Sequence, residues 1–262
     1  MTWLESVILG IVQGATEFLP VSSSGHLVMA QALLDVSIPG VLFEVAVHVA
    51  TLVSILLVYR TRVGELVVGA VKGDRDALTY AGLVVVATIP AGLLGVFAKD
   101  AIEQLFDNPW APGVALLVTG TFLWSSRAVL EKADAPRPTW AAAFLIGIAQ
   151  AFALVPGISR SGATVVAALW LGVEAREAAA FSFLMAVPAV AGAAVLQIPD
   201  LGGPEASALA PGVVLAGSVA AGITGVLAIR TFNAMLARRS FHFFAPYCWV
   251  VGALYLAYLA LG

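Results

Sequence analysis

The chain has 262 residues, 61% hydrophobic and only 11% charged, where an ordinary soluble domain carries about 25% charged residues. With a mean hydropathy of +0.98 this composition excludes a soluble globule and fits an integral membrane protein, and a formal net charge of -3 supplies no basic footprint for nucleic acid. One cysteine, Cys248, excludes an intramolecular disulfide and a cysteine-based metal cluster; in an apolar run it reads as a small packing residue. The opening MTWLE has neither the basic region nor the cleavage site of a secretory signal, so Leu4–Leu19 is read as part of the mature fold. Crossing a hydrocarbon core takes about 20 helical residues, and run length sorts the segments in chain order. Two short runs, 4–18 and 25–35, are joined by LPVSSSG and followed by long runs at 42–60, 77–98 and 112–130. Two more short runs, 140–154 and 162–172, are joined by VPGISRSG and followed by long runs at 178–198, 209–231 and 242–261. The expectation is an all-α membrane protein with six transmembrane helices. The short pairs form two re-entrant helix-turn-helix hairpins, whose unpaired backbone must be buried in protein or face a water-filled cavity.

The segments Leu9–Val28 and Ile146–Val165 are related by a constant offset of 137 residues, with identical pairs Gly10/Gly147, Ile11/Ile148, Gln13/Gln150, Ser22/Ser159, Ser24/Ser161, Gly25/Gly162 and Val28/Val165. This predicts a single membrane domain, 1–262, built from repeat one, 1–132, and repeat two, 133–262. Three spans per half invert the second copy, and an inverted-topology repeat with an interrupted core in each half places a site where the halves meet. Basic residues mark the cytoplasmic side. If the run at 42–60 passes from outside to inside, Arg60, Arg62, Lys72, Arg75, Arg127, Lys132, Arg137, Arg176, Arg230, Arg238 and Arg239 are cytoplasmic, Lys99 alone is external, and both termini lie outside. The first hairpin then enters from outside and the second from the cytoplasm. Trp3, Trp110, Trp140 and Trp249 fall near helix ends, as an aromatic belt requires.

Glu17 and Glu44 are the clear intramembrane carboxylates, and such groups are functional by default. Gln13 precedes Glu17 by one helical turn and shares its face, and the turn at Leu19–Gly25 is expected to return His26 toward them. Arg160 is the only basic residue in either motif and replaces Ser23 in the repeat alignment. The expected pocket holds Glu17, Ser23, His26 and Arg160 as catalytic groups, with Gln13, Ser22, Ser24, Ser159, Ser161 and Thr164 binding substrate. Arginine, serine hydroxyls and free N–H groups at helix starts suit phosphate oxygens, and a carboxylate, an imidazole and hydroxyls suit attack on phosphorus. Either Ser23 or His26 can be the nucleophile; the favoured arrangement is Ser23 with His26 as base, and Glu17 orienting His26 or holding a metal. Glu44 and His48, one turn apart, read either as a structural pair or as support for the pocket.

QGATEFLPVSSSGH and PGISRSGAT resemble the two signature motifs of the bacterial undecaprenyl pyrophosphate phosphatase family, known also as the bacitracin resistance protein family. The second motif is complete from Pro156 to Thr164, and FEVAVHVATL from Phe43 resembles the family's third helix; in the first motif Gln13 stands where some members carry Glu. The resemblance implies hydrolysis of a C55 prenyl diphosphate to the monophosphate carrier lipid of cell-wall polymer export, and six spans with two re-entrant hairpins. Such a diphosphate brings more negative charge than Arg160 offsets, so a divalent cation, Mg2+ or Ca2+, is expected on Glu17 and the carbonyl of Gln13, and the expected partners are a polyprenyl diphosphate lipid, the bilayer and a second copy of the chain as a homodimer. A secondary transporter or lipid flippase uses the same inverted-repeat architecture and is the alternative. The connections near 36–41 and 199–210 hold no Lys or Arg and are richer in Gly and Pro, so the site is expected to open to the periplasmic or extracellular side of the plasma membrane.

Overall fold

A computed structural model describes residues 1–34, 36, 42–130, 132–198 and 209–261. Among them the chain is all helical: α1 (Trp3–Phe18), α2 (Ser23–Leu34), α3 (Leu42–Val58), α4 (Arg60–Val71), α5 (Arg75–Phe97), α6 (Lys99–Asp107), α7 (Trp110–Ser125), α8 (Trp140–Phe152), α9 (Arg160–Trp170), α10 (Ala175–Leu196), α11 (Pro211–Ala237) and α12 (Phe244–Leu261). Their starts are set locally. Thr2 and Glu5 form a reciprocal capping box on α1, Asp74, Thr139 and Ser159 cap α5, α8 and α9, and Pro211 occupies the first turn of α11.

The 137-residue offset extends over most of the chain. It carries α1 onto α8, α2 onto α9, α3 onto α10, α5 onto α11 and α7 onto α12 within a few residues. The stretch matching α6 is the end of α11 and a 3-10 turn at Phe241–Phe243; that matching α4 lies largely outside the described residues. Partners are exchanged: α1 packs on α11 and α8 packs on α5, while α7 and α12 pair with each other. Small residues permit the close approach. A Cβ at Gly10 or Gly14 would overlap the carbonyls of Gly217 or Ala221, and one at Gly147 would overlap that of Ala87. An edge-to-face series of Phe18, Phe183, Phe232 and Phe241, centroids 5.1–5.6 Å apart, ties α1, α10 and α11 to the 3-10 turn. On α11 Gly217, Ala221, Gly225 and Ala228 are buried, while Leu215, Val219, Ile223 and Leu227 are more than half exposed. An apolar outer face of that extent belongs against lipid.

Among the described residues four helices are long and apolar enough to cross a membrane, Arg75–Phe97, Ala175–Leu196, Pro211–Ala237 and Phe241–Leu261; α3 with α4, bent by 80°, makes a fifth if taken as one span. Two expected spans therefore differ. The run at 42–60 ends at Val58 and turns into the polar α4, whose Arg60, Arg62 and Glu65 do not continue an apolar helix. The run at 112–130 yields only the 16 residues of α7, because the Ser125 and Ser126 hydroxyls donate to the Phe122 and Leu123 carbonyls at 2.5 and 2.7 Å and close the helix early. Trp3, Trp110 and Trp140 are exposed near helix ends, whereas Trp249 donates its indole N–H to the Leu117 carbonyl at 3.2 Å and packs α12 on α7.

Candidate active site

The first motif turns sharply after Phe18. Val21 N–H donates to the Leu19 carbonyl at 2.8 Å, and Ser22 adopts φ +70°, a left-handed conformation that costs a non-glycine residue about 1–3 kcal/mol. This bend starts α2 at Ser23 and sets its hydroxyl over Glu17. The Ser23 hydroxyl donates to Glu17 Oε2 at 2.6 Å, and Gln13 Nε2, one turn back along α1, donates to the same oxygen at 3.1 Å. Glu17 is 8% exposed, so its charge requires close partners.

The second motif supplies the countercharge. Gly157, at φ +98°, passes so close to Pro112 that a Cβ there would overlap the Pro112 carbonyl. Thr119 donates to the Gly157 carbonyl at 2.9 Å and accepts from Ser159 N–H at 3.1 Å. Ser159 then caps α9 through Gly162 N–H at 3.1 Å, and the next residue, Arg160, projects Nη2 to Glu17 Oε1 at 2.5 Å. Its Nη1 is buried with no partner among the described residues. The two serine pairs repeat each other: Ser22 and Ser24 hydroxyls are 3.3 Å apart, Ser159 and Ser161 hydroxyls 3.2 Å.

Glu17, Ser22, Ser23, Ser24, Ser159 and Arg160 line one cavity of about 410 Å3. The other expected binding residues stand behind it. Gln13 supports Glu17 and leaves its Oε1 buried without a partner among the described residues; Ser161 donates to the Leu19 carbonyl at 3.3 Å; Thr164 shares a 2.6 Å hydrogen bond with Ser182 and fixes α9 to α10. His26 is not brought to Glu17 or Ser23. Its ring folds back on the first turn of α2, with Nδ1 2.8 Å from the Ser22 carbonyl, and meets Tyr247 of α12, with Nε2 2.8 Å from the hydroxyl. The imidazole at the cavity is His48. Its Nδ1 donates to the Glu44 carbonyl at 2.7 Å, leaving Nε2 toward Glu17 Oε2 at 3.9 Å. Glu44 and Gln31 also line the cavity, 3.5 Å apart. The signal for His48 was its one-turn spacing from Glu44, which pointed to a pair without revealing which neighbour it faced.

Among the described residues no three His, Cys, Asp or Glu gather as a metal-holding group. Both oxygens of Glu17 already accept from Arg160, Ser23 and Gln13, so the chain offers one carboxylate and the unpartnered Gln13 carbonyl. Such a set matches a hard cation bound mainly through substrate phosphates and water, and not a cation caged by protein.

This constellation can bind a phosphate at Arg160 and present an activated hydroxyl beside it. The family described as Bacitracin resistance protein BacA matches residues 6–254 of the chain. The undecaprenyl-diphosphatase of Desulfatibacillum aliphaticivorans is 40% identical over 272 residues, covering 97% of either chain. That of Alkaliphilus metalliredigens is 37% identical over 275 residues and the whole of both chains, and undecaprenyl-diphosphatase 1 of Bacillus cereus is 38% identical, covering 98% of this chain and 97% of its own. A match that spans the chain from end to end and includes both motifs of the cavity makes it a member of the bacitracin resistance protein BacA family.

Proposed function

We propose that the chain hydrolyses undecaprenyl diphosphate to undecaprenyl phosphate and inorganic phosphate, recycling the carrier lipid of cell-wall polymer synthesis and thereby giving bacitracin resistance. The observation that carries this reading is the buried Arg160 Nη1, without a partner among the described residues, beside the Ser23–Glu17 hydrogen bond: an anion-binding donor next to a nucleophile and its proton acceptor. Arg160 and the N–H groups opening α2 hold the terminal phosphoryl oxygens. Ser23 Oγ attacks the terminal phosphorus and passes its proton to Glu17 Oε2; the bridging P–O bond breaks and the lipid monophosphate leaves. Water then attacks the phosphoserine and the P–Oγ bond breaks; Glu17 returns its proton to Ser23 Oγ, and both protons of the water leave on the departing phosphate as H2PO4−. Gln13 and Glu17 would share a divalent cation with the diphosphate, which neutralises its charge on binding. Purified protein in detergent is expected to release phosphate from undecaprenyl diphosphate and to stop after exhaustive chelation, resuming with Mg2+ or Ca2+; a transporter would release none, and full activity after chelation removes the cation. A chiral thiophosphate substrate is expected to react with net retention at phosphorus, and inversion removes Ser23 as nucleophile.

The architecture we propose is the inverted repeat, 1–132 and 133–262, with α1–α2 and α8–α9 as re-entrant hairpins. The helices of 16, 12, 13 and 11 residues, all under the length of a span, and the exchanged packing support it. The outward opening is supported by the cavity's lining. It includes Gln31, Glu44, Ile102, Phe106, Ala194 and Gln197, which flank the connections assigned to the outer side, and among the described residues Arg160 is its only Lys or Arg. Most of 36–41 and 199–210 lies outside the described residues. The apolar wall of Ile102, Phe106, Ala189, Val190 and Ala193 suits the first isoprene units, with the tail passing between α6 and α10 into lipid. A cysteine at Ser24 in a Cys248→Ala background is expected to react with a membrane-impermeant thiol reagent on intact cells; labelling restricted to inside-out vesicles reverses the orientation.

A further inference from the structure

The turn that delivers Ser23 is gripped from the side away from the cavity by the last helix. From the second motif the Ser161 hydroxyl donates to the Leu19 carbonyl at 3.3 Å. From behind, α12 makes two consecutive contacts: the Cys248 thiol donates to the Pro20 carbonyl at 3.7 Å, and the Tyr247 hydroxyl lies 2.8 Å from His26 Nε2. His26 Nδ1 lies 2.8 Å from the Ser22 carbonyl. A carbonyl only accepts, so Nδ1 carries the hydrogen; Nε2 of the neutral ring is then an acceptor and Tyr247 the donor, an assignment made from the hydrogen-bond network. The two rings are parallel within 10° at 5.7 Å between centroids. Both ring nitrogens are thus engaged in holding the residue with φ +70° that immediately precedes Ser23.

The second motif provides an internal comparison. Ser159, the counterpart of Ser22, has φ -73°, and the residues matching His26 and Tyr247 at the 137-residue offset are Ala163 and Trp110. The imidazole and the phenol that meets it stand at the motif whose serine backbone is strained, and the motif whose serine is relaxed has alanine and tryptophan at the matching positions.

We propose that Tyr247, acting through His26, is a positioning residue that fixes Ser22 in its left-handed conformation and so aims Ser23 Oγ at Glu17. This rests on Ser23 acting as the nucleophile. It assigns His26 to the same clamp and leaves proton acceptance to Glu17. Loosening the clamp lets Ser22 relax and turns the hydroxyl away from phosphorus, while Arg160 and the apolar wall, which bind the substrate, stay in place; kcat falls and KM does not change.

The full chain in detergent tests this with undecaprenyl diphosphate. Tyr247→Phe is expected to lower kcat about five- to twentyfold at unchanged KM, the loss of one hydrogen bond expressed on the chemical step. His26→Asn, whose amide can still donate to the Ser22 carbonyl, is expected to retain activity within about tenfold of Tyr247→Phe, and the double variant to be no slower than His26→Asn, since both act on one element. Tyr258→Phe, an exposed tyrosine farther along α12, is the unaffected control. Wild-type kcat in Tyr247→Phe, or a His26→Asn protein as inactive as His26→Ala, overturns the clamp. An inactive wild type fails the phosphatase reading alone, because hydrogen exchange reads the clamp without turnover. The Gly25 and His26 amides, which donate to the Ser22 hydroxyl at 3.4 Å and its carbonyl at 3.2 Å, are expected to exchange faster in Tyr247→Phe, and unchanged exchange also overturns the proposal.

Discussion

Glu17→Gln lowers kcat by about 10³-fold, within the range for loss of a positioned general base. The amide has the volume of the carboxyl, so α1 keeps its packing, but it cannot accept the Ser23 proton, and its NH2 face no longer suits one of the two donors at 2.5 and 2.6 Å. Arg160 loses its countercharge inside the protein, and breaking a buried pair of this kind destabilises a fold by about 3–5 kcal/mol when the remaining charge finds no other partner. A bound diphosphate is such a partner. The expected signature is a lowered melting temperature in the free protein that recovers with substrate or inorganic diphosphate, with KM unchanged or reduced. Steady-state phosphate release and a thermal melt with and without diphosphate check this; wild-type turnover would remove Glu17 from the proton path.

Arg160→Lys is the second large loss, about 10²-fold in kcat/KM. Nη2 is held by Glu17 while Nη1 has no partner among the described residues, so in the proposed mechanism the planar fork serves the carboxylate and the phosphate together. An ammonium on a flexible stem follows one or the other. Folding is preserved, because the charge beside Glu17 remains, and this separates the variant from Arg160→Ala. Near-normal activity of Arg160→Lys would take the fork out of the mechanism.

The parts of the fold that were legible in sequence are those written twice. The 137-residue offset, found in 20 residues around each serine motif, extends to five helix pairs, and run length separated α2, α8 and α9 from α5, α10 and α11 because helix rise per residue is fixed, while α1 and α7 have the same 16 residues and length does not distinguish them. The elements that escaped, α4 and α6, are short and polar, and an apolar-run criterion does not register them. The site was legible as a composition and less so as a geometry. Glu17, Ser23 and Arg160 converge as the motif spacing implied. The placement of His26 was decided by two groups that local spacing does not display: the Ser22 carbonyl at the start of α2, which accepts from the His26 ring as well as from its backbone N–H, and the Tyr247 hydroxyl 221 residues away. His48 gains its place from the orientation of α3 against α1, a tertiary fact.

The exchange of packing partners between the halves has a consequence for biogenesis. The partner of α8, which is α5, has already been synthesised when α8 emerges, whereas the glycine face of α1 must wait for α11, whose first residue follows Phe18 by 193 residues. At roughly 5–20 residues per second that interval is on the order of ten to forty seconds. During it the hairpin bearing Glu17 and Ser23 sits at the translocon or in the bilayer with its polar motif uncovered and no Arg160 facing it for most of that time. Assembly of the proposed catalytic centre is therefore a late event in translation, and a chain arrested before α11 presents an open, carboxylate-bearing hairpin to membrane quality-control proteases.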